Sequence, residues 1–383
     1  MPSKITTKTT LFTPVKMGST TLQHRIAMAP LTRLRATPTR IPTPLMKDYY
    51  AQRASVPGTL LITEGTLVSH AASGGFPCAP GLWRDDQVRA WKEITDEVHK
   101  RGCFIYVQLF AMGRAARADV AEPEGVEIVA PSSIPIPEDE RPGAPVPRAL
   151  SLEEIKHFIQ DFVIASQNAV AAGFDGVEIH GANGYLLDQF LQENSNHRTD
   201  EYGGSIENRS RLLHEVLIQV SEAIGSERVG LRLSPWSRFQ GMRMADPIPQ
   251  FSDIIGKANA LDLAFLHLVE PRVSGPEEAK GRSATEVAIE SLDFAYKLWK
   301  NTILVAGGFS LERAKKHIDE EYPDKNTVVV FGRHFISNPD LVFRLKEGLP
   351  LAKYDRETFY VPGEVRGYAD YPCSREFEKS VAA

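Results

Sequence analysis

The sequence predicts an α/β protein: a closed TIM-type (β/α)8 barrel with an N-terminal β-hairpin plug and a long loop after the third strand. Two observations carry that prediction. Eight short apolar runs recur along the chain, each followed by a helical pattern, as expected of strands and helices alternating around a parallel sheet. The runs are rich in Val, Ile, Leu and Phe without strict alternation, which suits strands covered on both faces. The competing architecture, a doubly wound open sheet, would place a glycine-rich phosphate turn directly after its first strand. Here the first run enters Pro30-Leu31-Thr32-Arg33, with no such turn.

In chain order, residues 8–24 read as the hairpin, with Leu11, Val15 and Leu22 around Gly18, placed to plug the barrel floor. The eight strands are expected at residues 26–29, 59–63, 104–108, 176–179, 229–233, 265–269, 302–306 and 327–331. Between the third and fourth, Ser151 and Glu154 form a capping box. Ile155, Phe158, Ile159, Phe162, Val163 and Val170 give that helix its apolar stripe. Ser205 caps a helix whose buried face includes Leu212, Leu213, Val216 and Val220, and Ser310 opens another after the seventh strand. Residues 111–150, rich in Pro, Ala and Glu, interrupt the passage from the third strand to its helix. A connection that long in a compact domain is expected to be a lid or binding loop over the carboxyl ends of the strands. No linker divides the chain, so residues 1–383 are expected to form one domain.

Apolar residues make up 42% and charged residues 24%, an ordinary globular balance. A net charge of −5, a pI near 6.1 and the absence of a basic run argue against a nucleic-acid surface. The polar start lacks the apolar core of a signal peptide, and no apolar stretch is long enough for a bilayer. A cytoplasmic protein without a membrane partner is expected. Cys78, Cys103 and Cys373 are odd in number and widely spaced, and read as reduced thiols. They are too few for an iron–sulfur cluster. No His-x-His or acidic cluster suggests a metal, and no lysine ends a strand, which argues against a Schiff-base aldolase.

In such barrels the carboxyl ends of the strands face the reaction. Read in order, they give Thr32, Gly65, Gln108, His180 with Asn183, Arg232, Gly307 with Gly308, and Gly332 with Arg333. The fourth is the most informative. Val177-Glu178-Ile179-His180-Gly181-Ala182-Asn183-Gly184-Tyr185 closes an apolar run with two neutral hydrogen-bond donors and a phenol. Two such donors can hold a carbonyl-like or phenolate oxygen, and a nearby phenol can hand over a proton. That set suits addition of hydride to a polarised double bond better than hydrolysis. The last two ends place small residues beside a guanidinium, where these barrels commonly bind phosphate; Arg333 would add bidentate bonds. Thr32, Gln108 and Arg232 suit a flat heterocycle, since a reduced isoalloxazine carries negative charge that an arginine favours. A buried structural ion pair is the alternative for Arg232. His267, inside an apolar strand, reads as a satisfied core histidine.

These residues belong to longer stretches. His180-Gly181-Ala182-Asn183-Gly184-Tyr185-Leu186-Leu187-Asp188-Gln189-Phe190, continuing through Asn196-His197-Arg198-Thr199-Asp200-Glu201-Tyr202-Gly203-Gly204-Ser205, resembles the Old Yellow Enzyme family. The likeness is greatest to its yeast and filamentous-fungal members, ergot-pathway relatives included. Ala29-Pro30-Leu31-Thr32-Arg33, Ile62-Thr63-Glu64-Gly65, Gly230-Leu231-Arg232-Leu233-Ser234-Pro235 and Phe331-Gly332-Arg333-His334-Phe335 match in order over nearly the whole chain. The resemblance implies a barrel with tightly bound FMN that takes hydride from NADPH and gives it to an activated alkene. By position it implies Pro30 and Thr32 beside the flavin, and Gly65, Gln108 and Arg232 along its pyrimidine side. Gly307, Gly308, Gly332 and Arg333 would hold the phosphate. His180 and Asn183 would bind the substrate's carbonyl oxygen, with Tyr360 near the mouth. Flavin N5 would supply the hydride and Tyr185 the proton.

The implied substrates are enones, enals or nitroalkenes, with phenols as further ligands, and the implied state is a monomer or homodimer. Three departures stand out: Phe110 replaces a tryptophan of yeast members, Gly308 replaces an asparagine, and residues 111–150 match poorly. The alternative reading is a flavin-dependent double-bond isomerase in an ergot-like pathway. Relatives lacking the proton-donating tyrosine lean that way, and Tyr185 argues for reduction. A protein that sequesters phenols or flavin without turnover, and a flavin-free phosphosugar isomerase, are the remaining rivals.

Overall fold

Parallel pairing joins each of eight strands to the next and the last to the first, closing a barrel. The structure, a computed structural model, describes residues 9–274, 277–278 and 290–382. The barrel strands are β1 (Ile26–Met28), β2 (Leu60–Ile62), β3 (Phe104–Phe110), β4 (Gly176–Gly181), β5 (Val229–Leu233), β6 (Phe265–Val269), β7 (Thr302–Ala306) and β8 (Thr327–Phe331). Helices α1 (Pro44–Arg53), α2 (Asp85–His99), α3 (Leu152–Ala171), α4 (Ile206–Ile224), α5 (Pro247–Ala260), α6 (Asp293–Leu298), α7 (Leu311–Lys316) and α8 (Leu341–Glu347) follow them in turn. The (β/α)8 expectation is met at every strand. β3 and β4 each run two residues further than expected, so His180 lies within a strand rather than after it.

Because a strand alternates its side chains between faces, each strand sends every second residue into the barrel. Near the floor, Tyr106 of β3 and Phe265 of β6 meet edge-to-face with centroids 5.5 Å apart. Gly176, first in β4, and Gly230, second in β5, are glycines for this reason: a Cβ at either position would overlap one of those two rings. Further along the same faces come Gln108, Glu178, Arg232 and His267.

The hairpin forms as expected, with strand Val15–Met17 antiparallel to Thr20–Leu22. Val15, Met17 and Leu22 pack against Ala27, Leu60, Phe265, Leu304 and Val328, which seals the floor. Leu11 instead joins the outer core between strands and helices.

Helix α3 begins with the expected capping box between Ser151 and Glu154, and it buries Ile155, Phe158, Ile159 and Phe162. Val170 corrects the expected stripe, for it is 38% exposed. The stripe continues through Ala165, Ser166 and Ala169, and Val170 lies about 100° further round the helix. Small residues carry the packing where a large one was expected. Ser205 caps α4 by accepting the Asn208 N–H, and Ser310 caps α7 by accepting that of Arg313.

The segment between β3 and α3 is ordered locally. It holds a 3-10 turn (Gly113–Ala115), a short helix (Ala118–Glu124), and a parallel pairing of Val129–Ala130 with Arg148–Ala149. Buried Arg114 ties it down, donating to the carbonyls of Pro135 (3.2 Å), Gln240 (3.2 Å) and Gly241 (3.3 Å). Among the described residues no helix is long and apolar enough to cross a membrane.

Candidate active site

A cavity of about 940 Å³ opens at the carboxyl ends of the strands, and every residue singled out from those ends lines it. Pro30, Thr32, Gly65 and Gln108 come from the first three strands and their loops; His180, Asn183, Tyr185 and Arg232 from the next two. Gly307, Gly308, Gly332 and Arg333 follow β7 and β8, and Tyr360 comes from the C-terminal segment, 49% exposed at the mouth.

The local backbone explains how the fourth strand builds its part. Glu178 and His180, two apart, point to one face of β4, into the barrel. The chain then leaves the strand through Asn183, whose φ of +58° is unusual for a side-chain-bearing residue. Two bonds hold that conformation: the Asn183 N–H donates to Ser234 Oγ (2.8 Å), and Gln240 Nε2 donates to the Asn183 carbonyl (2.8 Å). Tyr185 then sits at the start of a short helix (Leu186–Leu191). Its ring centroid lies 5.0 Å from that of His180 and 5.2 Å from that of Phe110, both edge-to-face.

Beneath these residues runs a buried polar layer. Gln108 Nε2 donates to Glu178 Oε1 (2.7 Å), while Glu178 Oε2 lies 2.6 Å from His267 Nδ1. Burial pushes the Glu178 carboxyl up, but His267, Arg232 and Gln108 together outweigh it and hold the group below its usual range. Burial also lowers Arg232, with Glu178 opposing the shift. For His267, burial dominates and Arg232 adds to it. The consistent state is therefore an ionised Glu178 balancing Arg232, with a neutral His267 donating from Nδ1. His267 was expected to be a satisfied core residue; it is buried and its Nδ1 is paired with Glu178, while its Nε2 has no partner among the described residues. It lies one layer below the cavity, facing a carboxylate that reaches it from β4, two strands away.

At the cavity itself, burial and then the charge of Arg232 hold His180 far below the usual histidine range, so its imidazole is neutral. Burial raises the Tyr185 phenol, which stays protonated. His180 Nδ1 and Arg232 Nε are buried with no partner among the described residues. Such orphans cost roughly 1–3 kcal/mol each, more when charged, and polar edges of a bound ring would satisfy them. Across the cavity, Gly307 and Gly308 leave bare backbone: a Cβ on Gly307 would lie 2.7 Å from Glu270 Cβ, and Gly308 has φ of +66°. Arg333 begins the short helix Arg333–Ser337 and its guanidinium lies 5.4 Å from the Tyr354 ring centroid. A cradle without side chains beside an arginine, opposite unpartnered donors, fits a planar heterocycle that carries a phosphate.

Sequence reasoning missed Phe76, Phe239, Tyr354 and Phe359, which also line the cavity. They come from loops, where no strand-end pattern points to them. The loop carrying Phe359 and Tyr360 is anchored by buried arginines, whose Arg33 Nε (3.1 Å) and Arg35 Nη1 (2.8 Å) donate to the Phe359 carbonyl.

The sequence profile of the NADH:flavin oxidoreductase / NADH oxidase family matches residues 10–352. The chain belongs to this family. Its fold superposes on an Old Yellow Enzyme homologue from Zymomonas mobilis with a TM-score of 0.86 and 41% identity, covering 95% of this chain and 100% of that one. A chanoclavine-I aldehyde reductase of Penicillium roqueforti is 50% identical over 98% of this chain and 99% of its own. A "probable inactive reductase" of Epichloe festucae var. lolii is also 50% identical, over 96% of each. An NADP-dependent oxidoreductase of Aspergillus flavus is 48% identical over 95% of this chain and 96% of its own. The protein is thus an FMN-dependent oxidoreductase of the Old Yellow Enzyme family.

Proposed function

We propose that this chain is an NADPH-dependent ene-reductase acting on the C=C bond of enones, enals or nitroalkenes. The observation that carries this is the convergence of a neutral imidazole (His180), a carboxamide (Asn183) and a protonated phenol (Tyr185) on one cavity. Bound FMN would relay hydride from NADPH to the alkene. Pro30 and Thr32 would lie beside the ring, Gly65, Gln108 and Arg232 along its pyrimidine edge, and Gly307, Gly308, Gly332 and Arg333 around the phosphate. His180 and Asn183 donate hydrogen bonds to the acceptor's carbonyl oxygen, where negative charge develops. Tyr360 borders the entrance.

Tyr185 gives its proton to the α-carbon, a contribution of roughly 10²–10⁴-fold for a positioned general acid. A phenol held protonated by burial suits a donor at neutral pH. The NADP in the name of the Aspergillus flavus relative supports the choice of cosubstrate, and the aldehyde in that of the Penicillium roqueforti relative supports a carbonyl acceptor. A relative of equal identity is named inactive, so identity alone does not carry the activity; the residues at the cavity do.

The test separates the two half-reactions. Tyr185→Phe should leave anaerobic bleaching of the flavin by NADPH unchanged and slow reoxidation by 2-cyclohexenone about 10²–10⁴-fold. If both persist unchanged, Tyr185 is not the acid. Product formed without matching NADPH consumption would move the assignment to an isomerase.

A further inference from the structure

Beyond Tyr185 lies a second cavity of about 530 Å³, within the range of small-molecule sites. It meets the central cavity at Phe76, Tyr185 and Phe239, which line both. Its outer wall comes from residues 111–150, with Met112 and Pro145 supplying apolar surface.

The charges in the chamber do not cancel. Arg117 is paired with Asp119 through two bonds, at 3.0 and 2.6 Å. Half-buried Arg141 has no carboxylate partner among the described residues. Its Nη1 donates to the carbonyls of Ala115 (3.2 Å) and Ala116 (3.1 Å), and its Nη2 donates to Gln240 Oε1 (3.2 Å). A guanidinium has five N–H donors, so donors remain for a ligand, and one positive charge stays uncompensated.

The reaction geometry leads into this chamber. If Tyr185 protonates the α-carbon, that carbon sits beside the Tyr185 hydroxyl, at the junction of the two cavities. Flavin and the reacting carbonyl fill the central side, so a long substituent on the alkene is directed to the other.

We propose that the second cavity is a distal acceptor subsite: it takes the far end of an elongated apolar enal or enone, and Arg141 binds a carboxylate there. This rests on the ene-reductase reading and names a substrate class for it. A charge-assisted bond from a guanidinium to a carboxylate in a half-enclosed site is among the stronger pairings available.

The test uses the holoenzyme with three probes: 2-cyclohexenone, a twelve-carbon 2-alkylpropenal whose alkyl chain, on the α-carbon, ends in a carboxylate, and the methyl ester of that enal. Calorimetric Kd and kcat/KM are measured for each. The carboxylate should bind and react about tenfold better than its ester, the scale of one such bond. Arg141→Gln should erase that preference. Ala118→Trp, which fills the chamber from its outer wall, should weaken both long probes and spare 2-cyclohexenone. Equal affinity of carboxylate and ester for the wild-type holoenzyme would overturn the subsite, whatever the turnover. A carboxylate preference in Kd with no reduction of any probe would support the subsite and overturn the ene-reductase reading instead.

Discussion

His24 at the barrel floor and His180 at its mouth are both buried imidazoles kept neutral by desolvation, yet their surroundings differ. His24 has protein partners at both nitrogens: Nε2 pairs with Thr59 Oγ1 at 2.9 Å, and Nδ1 accepts the Ile26 N–H at 3.2 Å. Among the described residues His180 Nδ1 has none, and neither does Arg232 Nε beside it or His267 Nε2 below. The Tyr106 hydroxyl, Arg25 Nε and Thr327 Oγ1 also lack partners among the described residues, but none of them lines the central cavity. Folding alone selects against clustered orphans. At the mouth, His180 Nδ1 and Arg232 Nε border the central cavity, where a ligand can complete their hydrogen bonding. The floor is finished by the apolar hairpin, and the mouth is finished by what binds there.

The sharpest way to break this contrast is to remove the charge that balances the upper layer. Arg232→Met leaves the Glu178 carboxylate buried with only Gln108 and a neutral His267 as partners, which should cost about 3–5 kcal/mol. Adding Glu178→Gln should recover most of that loss, because no buried charge then remains. Urea unfolding with FMN in fixed excess measures both. No recovery in the double variant would mean that Arg232 acts on stability only through flavin.

The floor offers a smaller effect, readable through pH. The His24 pKa falls from 6.5 unfolded to about 4 folded, chiefly through burial. The folded protein therefore binds fewer protons at this site than the unfolded chain does. Its contribution is complete above pH 6.5 and is lost as pH falls toward 4, on the order of 3 kcal/mol in all. His24→Gln cannot titrate, so its deficit against wild type should shrink over the same window. A deficit constant from pH 7 to 4 would show that His24 is not the neutral, fully bonded floor residue described above.

The floor and the mouth were not equally legible from sequence. Apolar runs gave away the strands because burial on both faces excludes polar residues. The same contrast exposed His180, Asn183 and Arg232, polar groups at the edge of such runs. The Gln108–Glu178–His267 layer was hidden, because it joins three strands through register and barrel stagger that no local pattern encodes. Phe76, Phe239 and Tyr354 were hidden for a related reason: loops bring them to the cavity from distant parts of the chain. Val170 misled because a large apolar residue draws attention away from the alanines that pack α3. Periodicity reports what a residue's own element buries; contacts between elements need the fold.

The smallest expected effect is the most discriminating. The Tyr185 hydroxyl makes no hydrogen bond within the described protein, although its ring packs against His180 and Phe110. Tyr185→Phe keeps that packing, so stability should change by no more than about 0.5 kcal/mol. Tyr50→Phe makes the counterpart, since its hydroxyl accepts the Glu64 N–H at 3.0 Å and its loss should cost about 1 kcal/mol. A phenol serving the fold would behave like Tyr50, and one reserved for the cavity would be thermodynamically silent while alkene reduction slows. Were Tyr185→Phe to destabilise the protein as much as Tyr50→Phe, its hydroxyl would have a structural partner, and the mouth would be less unfinished than its neighbours suggest.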